Sequence, residues 1–266
     1  MDVPATTIRG EETADGVTVT DVTFDGGEIG ETEAYLVAPA GGAPGASGPA
    51  VLWFHWLEGG SPTSNRTEFL EEARGHARRG VTSLLLQGVL PWLERPSGIA
   101  HDRALIEQEV AMLRHAVELL LSQPANPSRL AAVGHDFGGM YLTLLFGEDR
   151  RIGWFVLMAP TARWADWFTV YWRLEDDADA YAAALAPLDP VAHLARADGR
   201  PILLQFAAHD DYVPPEVAAE ITAAAGPSAE VRTYDSGHEL DATARADRES
   251  WLANRLGLDR GPGDLS

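Results

Sequence analysis

From residue 50 onward the chain keeps one rhythm: a short apolar or β-branched run, then a longer stretch with apolar residues every three or four positions. Such alternation predicts parallel strands joined by crossover helices, with helices covering both faces of one sheet. AVLWFHW (50–56), VTSLLLQG (81–88), RLAAVGH (129–135), IGWFVLMAP (152–160), PILLQFAAHD (201–210) and AEVRTYD (229–235) read as six strands. VTVTDVTF (17–24) and TEAYLVAP (32–39) alternate residue by residue like a pair of edge strands, which brings the predicted sheet to eight.

The clearest helix is predicted over 101–123, where Leu105, Val110, Leu113, Val117 and Leu120 form one stripe. Another starts near Asn65, with Asn65 and Glu68 spaced as a capping box. The last spans about 240–256. PAGGAPGASGPA (39–50) reads as a loop, since too little sequence precedes it to make a domain. One segment breaks the rhythm. Residues 161–199 lie between two strands, exceed one crossover helix, and hold Trp164, Trp167, Tyr171, Trp172 and Tyr181. The expectation is a single α/β domain over 1–266 with a short helical lid at 161–199.

Composition narrows the chemistry. There are no cysteines, which removes disulfides, thiolate nucleophiles and cysteine-held zinc. A net charge of −20 argues against nucleic acid or an anionic membrane as partner. No run approaches the roughly 20 apolar residues of a bilayer span, and the polar, acidic start lacks the build of a signal peptide. A cytoplasmic protein acting on a small molecule is expected, with a homodimer left open.

VGHDFGGMY (133–141) runs from a strand end into a glycine-framed turn. Gly134-His135-Asp136-Phe137-Gly138 fits the nucleophile-elbow pattern, whose central residue is usually serine. Here it is Asp136, which is also a good helix N-cap in a fold without catalysis. AAHDDYVP (207–214) and SGHEL (236–240) place acidic residues and a histidine after later strands.

Over nearly the whole chain these motifs resemble the α/β-hydrolase superfamily. The resemblance implies that AAHDDYVP is the acid turn and SGHEL the histidine turn, with Asp136, Asp210 and His238 in the order of nucleophile, acid and histidine and Asp211 competing with Asp210. LDPVAHL…PILLQFAAHDDYVP looks most like its dienelactone-hydrolase-like branch, whereas GHDFGG is similar to epoxide hydrolases and haloalkane dehalogenases. The resemblance implies an oxyanion hole from the backbone N–H groups of Phe137 and Leu57. His55-Trp56-Leu57 departs from the His-Gly start of the related loop, so Trp56 is expected to project into or over the pocket. Trp164, Trp167, Tyr171 and Trp172 would line it, and His55 would be structural.

A carboxylate at the elbow favours particular chemistry. With an ordinary pKa of about 3.9 it is already anionic at neutral pH, so it needs no base before attack. On an ester carbonyl it would give an anhydride that readily reverts. On a saturated carbon it gives an alkyl–enzyme ester, which water activated by His238 can hydrolyse. Epoxide opening is the first expectation, favoured over carbon–halogen cleavage because Phe137 has no ring N–H where many dehalogenases place tryptophan. Alternatives are a lactone or ester hydrolase, or a lyase or cyclase, with Asp136 as general base, and a catalytically dead binding module. His55, His135, His209 and His238 would gather at one sheet edge, but no close-spaced ligand motif such as HExxH appears, so neither metal nor cofactor is expected.

Overall fold

The computed structural model describes residues 2–41, 47–90, 96–167 and 178–258. Nine strands form one sheet: β1 (Thr6–Ala14), β2 (Val17–Asp25), β3 (Glu31–Pro39), β4 (Gly48–Phe54), β5 (Thr82–Leu86), β6 (Ala125–His135), β7 (Ile152–Met158), β8 (Ile202–Ala207) and β9 (Ala229–Tyr234). Their order is β1-β2-β3-β5-β4-β6-β7-β8-β9. β1, β2, β3 and β5 pair antiparallel in turn, and the remaining pairs are parallel.

The ninth strand corrects the expected eight. β1, TTIRGEETA, is exposed almost throughout, so it shows no buried alternation to read. It pairs along β2 and makes β1, not β2, the sheet edge. β2 and β3 do pair with each other, but inside the sheet.

Period-2 alternation divides the central strands between two cores. Leu52, Phe54 and Ala132 pack with helices α2 (Ile99–Ser122) and α3 (Phe137–Leu144) on one face. Val51, Trp53 and Val133 pack with α1 (Leu70–Ala77) and α8 (Ala242–Arg255) on the other. Being buried on both faces, these strands read as continuous apolar runs. Between β7 and β8 the described residues form α4 (Trp164–Trp167), α5 (Ala178–Leu185) and α6 (Pro190–Leu194). α7 (Pro215–Ala225) follows β8. No helix among the described residues is long and apolar enough to cross a membrane.

The expected capping box does not form. α1 begins at Leu70, and the Asn65 carboxamide oxygen accepts the Thr67 N–H at 2.8 Å. Glu68 is drawn inward instead, where it bonds the Trp56 N–H at 2.8 Å. A longer-range demand outcompetes a local cap.

Chain direction across the sheet reverses between β4 and β6, which lie side by side with Phe54 opposite Gly134. In open parallel sheets the crevice beyond such a switch point is where ligands bind. The loops after these two strands therefore emerge together.

Glu109 on α2 is fully buried, with Oε1 accepting the Val89 N–H at 3.1 Å and Oε2 lacking a partner among the described residues. Burial pushes its carboxyl up to about 8, against the opposing effect of the Val89 bond. A raised folded pKa gives stability that is present below the unfolded value of 4.5 and is lost as pH rises towards about 8. Glu109→Gln should therefore gain on the parent chain by up to about 1.4 kcal/mol per pH unit across that window. Urea unfolding at several pH values measures this, and parallel stability curves for the two proteins would contradict it.

Candidate active site

Asp136 occupies the turn between β6 and α3 with φ 51° and ψ −115°. This conformation costs a non-glycine residue on the order of 1–3 kcal/mol and persists only where neighbours enforce it. The Asp136 N–H donates to Met158 O at 2.7 Å, and the Met140 N–H donates to Asp136 O at 2.9 Å. The flanking glycines make room. A Cβ at Gly138 would lie 2.2 Å from Phe54 O, and one at Gly134 would lie 2.5 Å from the Gly138 backbone.

The Asp136 side chain is wholly buried, and its two oxygens have different surroundings. Oδ2 accepts the Leu57 N–H at 3.1 Å, and the Phe137 N–H adds a favourable pull on the ionised carboxylate. Oδ1 lies 3.8 Å from His238 Nε2, with no hydrogen bond of its own among the described residues. Burial pushes the carboxyl up to about 6, against the opposing pull of His238, His135 and the Leu57 and Phe137 N–H groups.

His238 Nδ1 donates to Asp210, at 3.0 and 2.9 Å from its two oxygens. Burial alone would lower the His238 pKa, but the Asp210 bond and the charges of Asp136 and Asp210 raise it. Asp210 in turn accepts the N–H groups of Tyr212 and Val213 at 2.8 and 3.0 Å. Burial would raise its pKa, and the His238 bond outweighs this and lowers it. Asp211 is exposed, so the structure brings Asp210 to the imidazole rather than its neighbour.

His55 ties the loops after β4 and β5 together. Its Nδ1 donates to Trp56 O at 2.6 Å and its Nε2 accepts the Gly88 N–H at 3.0 Å. Burial pushes its pKa down to about 4 and keeps it neutral, as a structural histidine requires. His209 is exposed and pairs with Asp235.

The aromatic residues expected over the pocket fare differently. Trp56 lies flat on His135, with centroids 4.9 Å apart and planes at 8°. It borders a cleft of about 350 Å³ on the α1/α8 side, together with Glu68, Glu72 and Arg248. The ring thus packs behind the histidines, where a glycine would have left a gap. Trp164 is fully buried against Phe137 and Tyr141, and its indole N–H donates to Leu188 O at 2.7 Å. The Trp167 indole N–H points at Met140 Sδ, 3.3 Å away, and its ring packs between Phe137 and Tyr212. Both tryptophans use their N–H groups inside the protein. Tyr171 and Trp172 lie outside the described residues.

Sequence reasoning missed Tyr212, whose ring meets His238 edge-on at 4.9 Å. It also missed the role of Glu68, whose Oε1 lies 2.7 Å from His135 Nδ1. Glu68 carried a signal, but one that read as a helix cap.

No family model matches the chain, and no curated protein matches it. Solved structures do. An acetyl xylan esterase from Paenibacillus sp. R4 superposes with a TM-score of 0.74 at 20% identity, covering 94% of this chain and 88% of that one. Acetyl xylan esterase 1 from Thermoanaerobacterium sp. gives 0.70 at 14% identity, covering 97% and 89%. A Klebsiella pneumoniae protein named for dienelactone hydrolase gives 0.64 at 14% identity, covering 95% and 99%. The chain has the α/β-hydrolase fold.

The elbow's tightness is testable. Gly138→Ala drives a Cβ into the backbone of Phe54, whereas Gly139→Ala meets Gly134 O at only 3.2 Å. Overpacking of a rigid site costs about 1–3 kcal/mol or more. Thermal unfolding should show a much larger loss for Gly138→Ala than for Gly139→Ala; equal losses would mean that the turn is looser than described.

Proposed function

We propose that the chain is a hydrolase reacting through the Asp136 carboxylate, with His238 as base and Asp210 orienting the imidazole. The unlike surroundings of the two Asp136 oxygens carry this reading. Oδ2 is held by the Leu57 amide, and Oδ1 is left facing His238. Oδ1 attacks a saturated carbon and the bond from that carbon to its leaving group breaks, so that an ester forms on Asp136 while a halide departs to solvent or an epoxide oxygen, kept on the product as alkoxide, takes a proton from water. His238 then takes a proton from water as the water adds to Cγ. The oxyanion develops on Oδ2, already in contact with the Leu57 N–H. Collapse breaks the Cγ–Oδ1 bond, and the departing alcohol receives the proton from His238.

Ester formation also prepares the second step. While Asp136 is ionised, its charge helps to hold the His238 pKa up. Alkylation removes that charge, which makes the imidazole readier to shed its proton and act as base. Within this reading an epoxide suits the described residues better than a halide. Trp164 and Trp167 commit their N–H groups to Leu188 O and Met140 Sδ instead of offering them to a leaving halide. Residues 161–199 would act as the lid, and Phe137, Trp167 and Tyr212 would favour a hydrophobic or ring-containing substrate.

The structural neighbours support a second reading. They are named for ester and dienelactone hydrolysis, which favours lactone or ester cleavage over epoxide or carbon–halogen cleavage. Here Asp136 is a general base, and a carboxyl near pH 6 is well matched to that task. This route needs the substrate carbonyl to take over the Leu57 N–H from Oδ2.

Intact-protein mass spectrometry separates the two. Given styrene oxide or a short haloalkane, His238→Gln should accumulate an adduct on Asp136, because the ester forms and its hydrolysis stalls. Under the second reading no adduct appears, and the parent chain instead cleaves lactones or nitrophenyl esters in a manner abolished by Asp136→Ala. Both readings need an ionised Asp136. The rate for the reactive substrate should therefore fall as pH drops through about 6, and a rate that stays flat down to about pH 4, the ordinary carboxyl range, would show that the Asp136 carboxyl is not held up by burial.

A further inference from the structure

A second acid–imidazole pair lies behind the first. His135 directly precedes Asp136 and is buried. Its Nδ1 lies 2.7 Å from Glu68 Oε1, and its Nε2 lies 3.0 Å from the backbone oxygen of His238. Glu68 Oε2 accepts the Trp56 N–H at 2.8 Å. Trp56 immediately precedes Leu57, whose N–H holds Asp136. This pair, with His135 buried and Glu68 partly exposed at the cleft, therefore touches the loop after β4, the elbow and the histidine turn.

The protons on this pair can be counted. A carbonyl oxygen only accepts, so His135 Nε2 carries a hydrogen towards His238 O. An amide N–H only donates, so Glu68 Oε2 is an acceptor. The 2.7 Å contact between Nδ1 and Oε1 therefore shares a single proton, giving either an acid and an imidazole or a carboxylate and an imidazolium. The charged groups facing the pair are Glu72 and Arg248, which are paired with each other, and Asp136 and His238. Burial pushes Glu68 well above the carboxylate range, against the opposing effect of Trp56 N–H, and pushes His135 down to about 3.

We propose that Glu68 and His135 form a neutral carboxylic acid–imidazole clasp that positions the His238 turn and the Trp56–Leu57 loop against Asp136. Both are positioning residues, since their bonds go to each other, to the Trp56 N–H and to the His238 backbone oxygen. The flat stack of Trp56 on His135 closes the clasp, and a net-neutral pair adds no second anion behind His238 to compete with Asp210. The consequence for turnover rests on the reading of Asp136 and His238 as reacting groups. The clasp itself does not.

Nitrogen-15 NMR of the histidine rings in the full chain tests it without any substrate. His135, assigned by its loss in His135→Asn, should remain a neutral Nε2–H tautomer from about pH 5 to pH 9, clear of the ordinary imidazole value. Titration within that range, or protons on both nitrogens at neutral pH, would overturn the proposal. Glu68→Gln keeps the clasp, because its amide donates to Nδ1 and its oxygen accepts from Trp56. The His238 pKa should then stay raised, as in the parent chain. Glu68→Leu removes both bonds and should let the His238 pKa fall towards the ordinary imidazole value, a change that a purely structural role would not produce in a folded variant. A Gln variant that behaves like Leu would show that a charge is required and refute the neutral pair; should the Leu variant not fold, the tautomer and the Gln variant still decide. A chain that hydrolyses nothing yet passes these tests would defeat the hydrolase reading alone.

Discussion

The hydrogen bond from the Leu57 N–H to Asp136 Oδ2 gives the site its asymmetry. A carboxylate is symmetric in water, and burying one is costly unless its oxygens are partnered. Here burial is complete, and one oxygen is satisfied by the backbone while the other faces an imidazole. The held oxygen matches the place where an oxyanion would grow on hydrolysis of an ester at Asp136. Under the second reading we propose, a substrate carbonyl would have to take that donor over from Oδ2.

The bond exists because of the sheet. Neighbouring strands lie about 4.8 Å apart, and the pairing of Phe54 with Gly134 sends the loops after β4 and β6 out side by side. The elbow must turn within a few ångströms of the Phe54 backbone, a space that only glycine permits at 134 and 138. Positive φ at Asp136 then aims its side chain at Leu57 and His238. Strain at one residue is offset by hydrogen bonds from two elements and by packing across both faces of the sheet.

Much of this was legible in the sequence. The elbow, the acid turn and the histidine turn announced themselves because each sits at a strand end with its own local signature, and the structure brings Asp136, His238 and Asp210 together as their order implied. β1 was not legible, since an exposed edge strand is held by a ladder rather than by a buried face. Glu68 was misread because its partner His135 lies 67 residues away, and no local pattern encodes that pairing. The tryptophans were legible only in part. Position and ring type suggested a pocket, but only the fold reveals where each indole N–H goes.

The most direct test is a single turnover in oxygen-18 water with enzyme in excess of an epoxide, followed by mass analysis of the peptide containing Asp136. Hydrolysis of an ester at Asp136 places the label in that carboxylate, with product oxygen coming from the protein. Label found only in the product, with Asp136 unlabelled, would contradict covalent carboxylate chemistry and leave Asp136 as a base.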